Sequence, residues 1–382
     1  MNTMERSVKR VGVIGGGQLA WMMAKAAQKL GLDLVIQTPS PDDPAVTIAT
    51  QTLFAAVDDA EATAKLACDV ITFENEFVNL AALEQIQPMP RFYPTLRSLT
   101  PLLDKFHQRC CLQELGLPTP RFAALDTTAL DTIDTATLSQ FGFPVVLKAR
   151  RLGYDGRGTI VLKDLAALEA VLASQTFEPG MWLLEQFVPF ERELAVMAAR
   201  SPQGEMAIYP VVETQQVNQV CQRVFVTQDF GKTAEVGAIA TALLTHLDYV
   251  GIMGIEFFLT REGDVLVNET APRTHNSGHY SLDACETSQF EQQLRAVSGL
   301  PLGSPALTCA GAVMVNLLGY ESAESDYLEQ RQKLVEIERS HLYWYGKTSR
   351  PGRKLGHITV LLEVDGEKAE AIAQKIEAIW YP

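Results

Sequence analysis

The chain has 382 residues and a mass of 42.0 kDa, which suggests two or three domains. Hydrophobic residues make up 47% of it, enough for packed cores, so global disorder is excluded. The 32 Lys and Arg residues against 46 Asp and Glu residues give a net charge of −14, which disfavours nucleic acid and anionic membranes as partners. Any phosphate must therefore be bound by a local basic cluster, by backbone N–H groups or by a metal.

The cysteines and the apolar segments indicate the compartment. No CxxC pair occurs, so we expect buried free thiols in a reducing compartment. No apolar run approaches the roughly 18 residues that a membrane span needs. The basic N-terminus leads directly into a strand-like run and lacks a small-residue cleavage site. We therefore expect a cytoplasmic protein with no membrane partner. The cysteines are Cys68, Cys110, Cys111, Cys221, Cys285 and Cys309.

The first hundred residues alternate strand-like and helix-like segments. Residues 11–14, 34–36 and 70–73 are β-branched or apolar runs, and residues 18–30 have a helical pattern that ends at Gly31. This alternation predicts a doubly wound parallel sheet.

Three glycines, Gly15 to Gly17, follow the first strand and fit a dinucleotide-binding turn. The next strand ends in Gln37-Thr38-Pro39 without the acid that would hold a ribose, so a general anion or small-ligand turn is favoured. A turn with no ligand also remains open.

The rest of the chain reads as a second and a third region. Thr100-Pro101 predicts a helix that starts there and runs to Gly116. Asp- and Thr-rich helix starts lie around residues 126–137. The predicted strands are 144–148, 159–162, 182–185, 252–259, 265–269 and 311–318, with an acidic helix at 326–338.

A cationic glycine-rich loop follows the strand that ends in Lys148. Residues 150–159 contain three arginines and three glycines, without a Walker A sequence. Backbone N–H groups in such a loop can wrap phosphates, although a solvated turn is the alternative. Further on, Glu185 is suited to an adenine edge and Glu193 to ribose hydroxyls, unless either acid is simply exposed.

Two glutamates face each other on a predicted hairpin. If the strands pair about a turn at 261–264, Thr260 lies opposite Val265, Phe258 opposite Val267, and Glu256 opposite Glu269. Like charges so placed are destabilising unless a cation lies between them, and carboxylates are typical Mg²⁺ ligands. The alternatives are a protonated acid or a different register. Asn268, beside Glu269, could support the site.

Two polar segments suit anions. Residues 272–279 place an arginine, two histidines and an asparagine in a short loop beside the predicted metal. Residues 341–357 contain four cations and no acid, which suits a phosphorylated substrate unless the loop is only solvated. The four cations are Lys347, Arg350, Arg353 and Lys354.

Taken together, these features resemble the ATP-grasp fold. GGGQL at 15–19, GYDGRG at 153–158, NETAPRTHNSGH at 268–279 and WYGKTSRPGRKLGH at 344–357 resemble the N5-carboxyaminoimidazole ribonucleotide synthetases of purine biosynthesis. The resemblance covers residues 11 to about 360. It implies an ATP-grasp architecture, α/β overall and α+β in its nucleotide-binding part. The implied parts are an N-terminal Rossmann-like domain (1–104), an ATP-grasp domain (105–300, with a lid at about 120–185) and a C-terminal subdomain (301–382).

The resemblance also implies the reaction, the ligands and the assembly. ATP would phosphorylate bicarbonate to carboxyphosphate, whose carboxyl group passes to the amine of 5-aminoimidazole ribonucleotide. Mg²⁺, or Mn²⁺ in its place, would be the cofactor, and relatives are commonly homodimers.

Residue roles follow from the same resemblance. Glu256 and Glu269 would bind the metal. Arg273, His275 and Asn276 would hold bicarbonate or carboxyphosphate, and Asp155 would receive the amine proton. The residues implied for ATP are Lys105, Lys148, Gly153, Tyr154, Asp155, Gly156, Arg157, Gly158, Thr159, Glu185, Gln186, Phe187, Val188, Glu193, Gln216, Asn268 and Glu269. Those implied for the ribonucleotide are Gln18, Glu74, Tyr154, Asp155, Arg157, Lys347, Arg353 and Lys354.

Two positions depart from the family pattern. Trp21 stands where the family commonly has arginine, and Gln216 where relatives commonly have histidine. The change at Gln216 puts a nucleotide contact there in doubt.

Three other functions compete with carboxylation. Another ATP-grasp ligase, such as a formate-using transformylase or an amino-acid ligase, is disfavoured by the 272–279 and 347–354 segments. An NAD-dependent oxidoreductase would rest on the glycine turn alone and leave the paired glutamates unexplained. A non-catalytic binding protein could lose the metal acids, yet both are present.

Overall fold

A computed structural model of the chain describes residues 8–125, 141–151, 153, 158–174, 178, 180–227, 230–364 and 368–382. The predicted helix starts around 126–137 lie outside these residues, as do Tyr154, Asp155, Gly156 and Arg157 of the glycine-rich loop. No helix among the described residues is both long enough and apolar enough to cross a membrane.

The N-terminal residues form the predicted parallel sheet, with strand order β3-β2-β1-β4. Its first helix packs on the sheet through leucine, methionine and alanine side chains and ends at Gly31, whose positive φ of 66° closes the helix. The short third strand was not predicted, because two of its four residues are exposed and the other two are only partly buried. The elements are β1 (Arg10–Ile14), α1 (Gln18–Leu30), β2 (Asp33–Thr38), β3 (Gln51–Phe54), α2 (Ala60–Thr63), β4 (Val70–Phe73), α3 (Leu80–Leu83) and α4 (Leu96–Leu99).

The next helix, α5 (Lys105–Glu114), begins later than predicted. The Asp104 carboxylate accepts hydrogen bonds from the N–H groups of Phe106 and His107, so Asp104 is the N-cap. Thr100 instead ends α4, with its hydroxyl donating to the Leu96 carbonyl. The expectation of a helix starting at Thr100-Pro101 was therefore wrong.

A small antiparallel sheet with strand order β5-β8-β6-β7 follows, and among the residues that the structure describes, the helix Leu165–Leu172 packs against it. Three of its four strands were predicted to within about one residue. The elements are β5 (Phe122–Leu125), β6 (Val145–Ala149), β7 (Thr159–Leu162), α6 (Leu165–Leu172) and β8 (Trp182–Gln186).

The remaining strands form one antiparallel sheet in the order β14-β13-β9-β11-β12-β15-β17-β16, with β10 beside β9. The central strand β9 is buried through most of its length because alanine, valine, leucine and methionine fill both of its faces. The strands are β9 (Phe190–Arg200), β10 (Met206–Ile208), β11 (Val212–Val217), β12 (Val220–Val226), β13 (Gly251–Thr260), β14 (Val265–Ala271), β15 (Gly311–Leu318), β16 (Ser340–Trp344) and β17 (Lys354–Leu362).

The helices that cover this sheet complete the fold. They are α7 (Thr233–His246), α8 (Ser281–Ala284), α9 (Gln289–Val297), α10 (Leu328–Val335) and α11 (Ala369–Trp380). All six cysteines are free thiols, as expected, but only Cys111 and Cys285 are buried. The architecture combines a parallel α/β sheet with antiparallel α+β layers, as the resemblance implied.

Candidate active site

One cleft of about 1860 Å³ brings the predicted site residues together. Its walls come from the turn after β1, the start of α5, the small sheet, strands β9, β11, β13 and β14, and the segment before β17. Of the predicted residues that the structure describes, Gly158 is the one that does not line this cleft. Those that do are Gln18, Glu74, Lys105, Lys148, Gly153, Thr159, Glu185, Gln186, Phe187, Val188, Glu193, Gln216, Glu256, Asn268, Glu269, Arg273, His275, Asn276, Lys347, Arg353 and Lys354.

A β-bulge places the two glutamates of the hairpin opposite each other. Near the turn the register is one residue off the prediction: Leu259 pairs with Val265 and Phe257 with Val267. The shift between Glu256 and Phe257 leaves Asn268 as the extra residue, and Glu256 then pairs with Glu269 as predicted. The predicted Thr260–Val265 and Phe258–Val267 pairs were wrong, because a single register cannot anticipate a bulge.

The paired carboxylates differ in their electrostatics. Burial, followed by the nearby negative charge of Glu269, raises the pKa of Glu256 to about 8. Burial also acts on Glu269, but the Lys105 ammonium, 2.6 Å from Glu269 Oε2, outweighs it and holds the Glu269 pKa below its usual value. The pair therefore lacks enough positive charge for both acids to ionise easily.

A divalent cation fits this pair. Two facing carboxylates, one of them disfavoured as an anion, are a hard oxygen donor set suited to Mg²⁺. No cluster of three or more His, Cys, Asp or Glu side chains suited to a metal occurs among the described residues. Mg²⁺ commonly binds through one or two carboxylates together with substrate phosphates, so a donor pair is sufficient.

A buried ion network lies beside the metal pair. Glu185 is 2% exposed, and its two oxygens lie 2.6 Å from Arg109 Nε and 2.7 Å from Lys148 Nζ. These cations overcome the effect of burial and hold the pKa of Glu185 at about 2. Arg109 also donates to the carbonyls of Val267 and Asn268, and Lys148 donates to Asn268 Oδ1 at 3.1 Å. The network thus fixes the bulge and the direction of Lys148.

Sequence analysis missed Arg109. It lies inside α5 with no motif around it, and only the packing of that helix against β8 and β14 gives it a role. Its spacing of four residues from Lys105 puts both cations on one helix face, and that spacing was the available signal.

The two arginines at the start of the glycine-rich loop line the cleft and also pair with a carboxylate of the chain. Arg150 Nε lies 2.9 Å from Asp104 Oδ1, and Arg151 Nε lies 3.2 Å from Asp104 Oδ2. The Lys105 N–H donates to the Arg150 carbonyl at 2.8 Å. Asp104 therefore ties the base of the loop to the start of α5.

The far end of the loop is set by Gly158. Its φ of 80° is a left-handed conformation, and a Cβ there would come 2.8 Å from the Ala149 Cβ. Gly158 thus allows the loop to return into β7, where Thr159 pairs with Lys148.

The predicted nucleotide end of the cleft has acidic and apolar walls. Burial raises the pKa of Glu193 to about 7, and Glu193 Oε1 accepts a hydrogen bond from Gln216 Nε2 at 3.2 Å. Gln216, the departure from the family pattern, is therefore paired with the predicted ribose acid. Phe190 stacks on Phe258 with ring centroids 4.7 Å apart and lines the same end.

The loop after β14 carries the predicted bicarbonate residues. Arg273 Nε lies 2.9 Å from Glu76 Oε1, which joins the loop to the N-terminal sheet. His275 Nε2 lies 3.7 Å from Glu256 Oε1, and the amides of Asn276 and Asn316 exchange hydrogen bonds of 2.9 and 2.7 Å. Glu76, which sequence analysis missed, is the counter-ion of this arginine.

The glycine turn binds a carboxylate of the chain itself. Glu74 accepts from the N–H groups of Gly17, Leu19 and Ala20 at 2.6, 3.0 and 3.2 Å. A Cβ at Gly17 would lie 2.6 Å from Glu74 Oε1. The donors that a dinucleotide phosphate would need at this helix N-terminus are therefore already used, which argues against the NAD hypothesis.

The basic segment meets that turn across the cleft. Lys347 donates to Gln18 Oε1, and the Arg353 guanidinium donates to the Thr348 carbonyl at 2.9 Å. Burial lowers the pKa of Lys347 to about 8, against the opposing effect of Glu74. Trp21 packs edge-on against Tyr345, with ring centroids 6.3 Å apart. This end of the cleft concentrates positive charge in an acidic protein.

The fold and the cleft define an ATP-grasp ligase. The chain matches the ATP-grasp domain over residues 110–290, the ribonucleotide synthetase preATP-grasp domain over 8–101, and the phosphoribosylaminoimidazole carboxylase C-terminal domain over 312–372. The division at residues 104 and 300 remains a prediction.

Curated and structural relatives narrow the class. The chain is 56% identical to an N5-carboxyaminoimidazole ribonucleotide synthase of Synechococcus elongatus, over 98% of this chain and 96% of that one. A crystal structure of an N5-carboxyaminoimidazole ribonucleotide synthetase in complex with ADP matches with a TM-score of 0.88 at 32% identity, covering 99% of both chains. The Aspergillus clavatus enzyme in complex with ADP and 5-aminoimidazole ribonucleotide also has a TM-score of 0.88, at 28% identity and 98% coverage of both. The chain belongs to the N5-carboxyaminoimidazole ribonucleotide synthase family.

Proposed function

We propose that this chain is the ligase that makes N5-carboxyaminoimidazole ribonucleotide from ATP, bicarbonate and 5-aminoimidazole ribonucleotide in purine biosynthesis. A bicarbonate oxygen attacks the γ-phosphorus and ADP leaves. The substrate amine then attacks the carbon of carboxyphosphate, phosphate leaves, and the amine loses a proton. The observation that carries the proposal is that one cleft contains both the paired carboxylates and the basic segment.

At the nucleotide end, the residues position charge rather than form bonds to the substrate. Lys105 and Lys148 bind ATP phosphates, and Glu185 with Arg109 keeps Lys148 directed at them. Glu256 and Glu269 would hold Mg²⁺, which would supply positive charge to offset the negative charge of the nucleotide phosphates. Gln186, Phe187 and Val188 face the adenine.

At the centre of the cleft, Arg273, His275 and Asn276 hold bicarbonate and then carboxyphosphate. A guanidinium suits a planar oxyanion because it donates in two directions. Glu76 keeps this guanidinium over the cleft, and the surrounding protein limits hydrolysis of the intermediate. Asp155, outside the described residues, is proposed to take the amine proton, and Tyr154 and Arg157, also outside them, are proposed to bind the aminoimidazole.

The proposal extends to assembly and location. By the family expectation the chain forms a homodimer in the cytoplasm and binds neither nucleic acid nor membrane. A formate-using transformylase is the second candidate, and it would require formate in place of bicarbonate.

The direct test is phosphate release by the purified chain. With ATP, Mg²⁺, bicarbonate and aminoimidazole ribonucleotide together, we expect phosphate release that falls to background when the ribonucleotide or bicarbonate is omitted. Formate in place of bicarbonate should give no release. Phosphate release that does not depend on the ribonucleotide would contradict the proposal.

Arg353→Ala is expected to raise the KM for the ribonucleotide by roughly tenfold to a hundredfold with a smaller change in kcat, because a charged hydrogen bond contributes about 1.5–3 kcal/mol. Initial rates at varied ribonucleotide concentration measure this. Arg339→Ala is the control, since Arg339 is exposed and pairs with Glu363 away from the cleft. An unchanged KM in the Arg353 variant would remove Arg353 from the phosphate site.

The affinity for the ribonucleotide should fall as the pH rises through about 8. Lys347 has a pKa lowered to about 8, so its ammonium is charged below that pH and becomes neutral above it. A neutral amine loses its attraction for a phosphate dianion, and kcat/KM for the ribonucleotide should decline. Lys347→Arg should remove this inflection, because arginine stays charged. An identical pH profile in the variant would assign the inflection to another group.

A further inference from the structure

Helix α9 carries three buried glutamines that reach segments outside the helix. Gln289, Gln292 and Gln293 are at most 1% exposed. A buried amide is unfavourable unless it is hydrogen-bonded, and each of these three finds partners. Gln292 bonds the N–H and carbonyl of Gly303 at 2.8 and 2.7 Å, while Gln293 accepts from the Ile252 N–H at 2.6 Å.

The Gln289 side chain forms two hydrogen bonds with the main chain of the predicted bicarbonate loop. The His275 N–H donates to Gln289 Oε1 at 2.9 Å, and Gln289 Nε2 donates to the His275 carbonyl at 2.7 Å. Because a backbone N–H only donates and a carbonyl only accepts, these two bonds determine which end of the amide is oxygen. The amide orientation is therefore fixed by its partners.

The second proton of the same amide reaches the other end of the loop. Gln289 Nε2 lies 3.1 Å from His279 Nδ1, so Nδ1 accepts. Burial lowers the pKa of His279 well below its usual value, which keeps the ring neutral and leaves its proton on Nε2. No described residue bonds Nε2, so the described contact that selects this tautomer is the one from Gln289.

The loop packs closely on this amide. A Cβ at Gly278 would lie 2.7 Å from Gln289 Oε1, and the Ser281 hydroxyl accepts from the Gln289 N–H while donating to the Gly278 carbonyl. Gln289 itself does not line the cleft. It acts on the site through His275, whose imidazole lies 3.7 Å from Glu256.

We propose that Gln289 is a positioning residue for carboxyphosphate chemistry: it fixes the main chain at His275 and the Nε2–H tautomer of His279, and so holds the loop that binds bicarbonate. The expected effect of Gln289 on catalysis rests on the proposed function. The local geometry stands on the hydrogen bonds alone.

The kinetic test is Gln289→Glu against the matched control Gln292→Glu, which places the same carboxylate at an equally buried position of the same helix. A carboxylate at 289 still accepts from the His275 N–H but repels the His275 carbonyl. We expect kcat/KM for bicarbonate to fall by about tenfold to a hundredfold, the effect of a small misplacement of binding groups, with the KM for ATP nearly unchanged. Equal losses in the Gln292 variant would overturn a specific role for Gln289.

The tautomer provides a readout that does not require turnover. The ¹⁵N shifts of the His279 ring should report Nε2–H in the unchanged protein and in the Gln292 variant, and Nδ1–H in Gln289→Glu, where a carboxylate faces Nδ1. If the Glu variant does not fold, Gln289→Met has a similar volume and removes all three hydrogen bonds of the Gln289 side chain. An unchanged tautomer together with an unchanged kcat/KM for bicarbonate would overturn the proposal. A wild-type chain without ribonucleotide-dependent turnover would instead overturn the proposed function. The His279 tautomer in the Gln289 variant would still test whether Gln289 fixes the Nε2–H form.

Discussion

Glu269→Gln is expected to lower kcat by about a thousandfold, since a bound metal contributes several kcal/mol to charge stabilisation and each 1.36 kcal/mol is tenfold in rate. The amide retains the shape of the side chain but removes one of two facing carboxylates and the partner of Lys105. The Glu269 side chain lines the cleft and is 41% exposed there, so the fold should persist. Phosphate release at saturating substrates, measured over a range of Mg²⁺ concentrations, tests this.

A glutamate in the turn of the same hairpin supplies the control. Glu262 is exposed and does not line the cleft, so Glu262→Gln should leave kcat unchanged. Glu256→Gln should lower kcat by an amount similar to that of Glu269→Gln. A Glu269 variant with normal kcat and a normal Mg²⁺ dependence would remove this residue from the metal site.

Arg109→Leu is expected to reduce the free energy of unfolding by about 3–5 kcal/mol, because the buried Glu185 carboxylate loses one of its two cations and two backbone carbonyls lose a charged donor. Glu185 would keep Lys148 as its one remaining counter-ion, and the carbonyls of Val267 and Asn268 would lose the hydrogen bonds from Arg109. Denaturant unfolding of the variant and the unchanged chain gives the difference.

Arg121→Leu is the matched surface variant. Arg121 is exposed and donates to Gln186 Oε1 at 2.9 Å, so its loss should change the stability by no more than about 0.5 kcal/mol. Equal stability of the Arg109 and Arg121 variants would mean that the buried network does not stabilise the fold. A normal KM for ATP in Arg109→Leu would further show that Lys148 is directed without it.

The sequence predicts this fold best where local signals and burial agree. The helix from Gln18 to Leu30 has a glycine stop and a regular apolar face, and its bounds match the prediction. The Glu256–Glu269 pair was also predicted, although by a register that fails nearer the turn. The bulge at Asn268 could not be predicted, because it depends on Arg109 and Lys148 binding that residue from other elements.

The missed site residues share one physical reason. Arg109, Glu76 and Gln289 act through partners distant in the sequence, and no local pattern marks such contacts. The same reason explains Arg150 and Arg151: the loop composition suggested phosphate binding, yet Asp104 lies close enough to pair with both. Composition indicates which charges are available, and tertiary packing decides how they are used.

The central claim is that bicarbonate is activated in this cleft by phosphorylation. If a bicarbonate oxygen attacks the γ-phosphorus, that oxygen leaves with phosphate when the carboxyl group is transferred. With ¹⁸O-labelled bicarbonate, ATP and the ribonucleotide, mass spectrometry of the released phosphate should find one labelled oxygen per phosphate. Phosphate released at the full rate without the label would contradict the account.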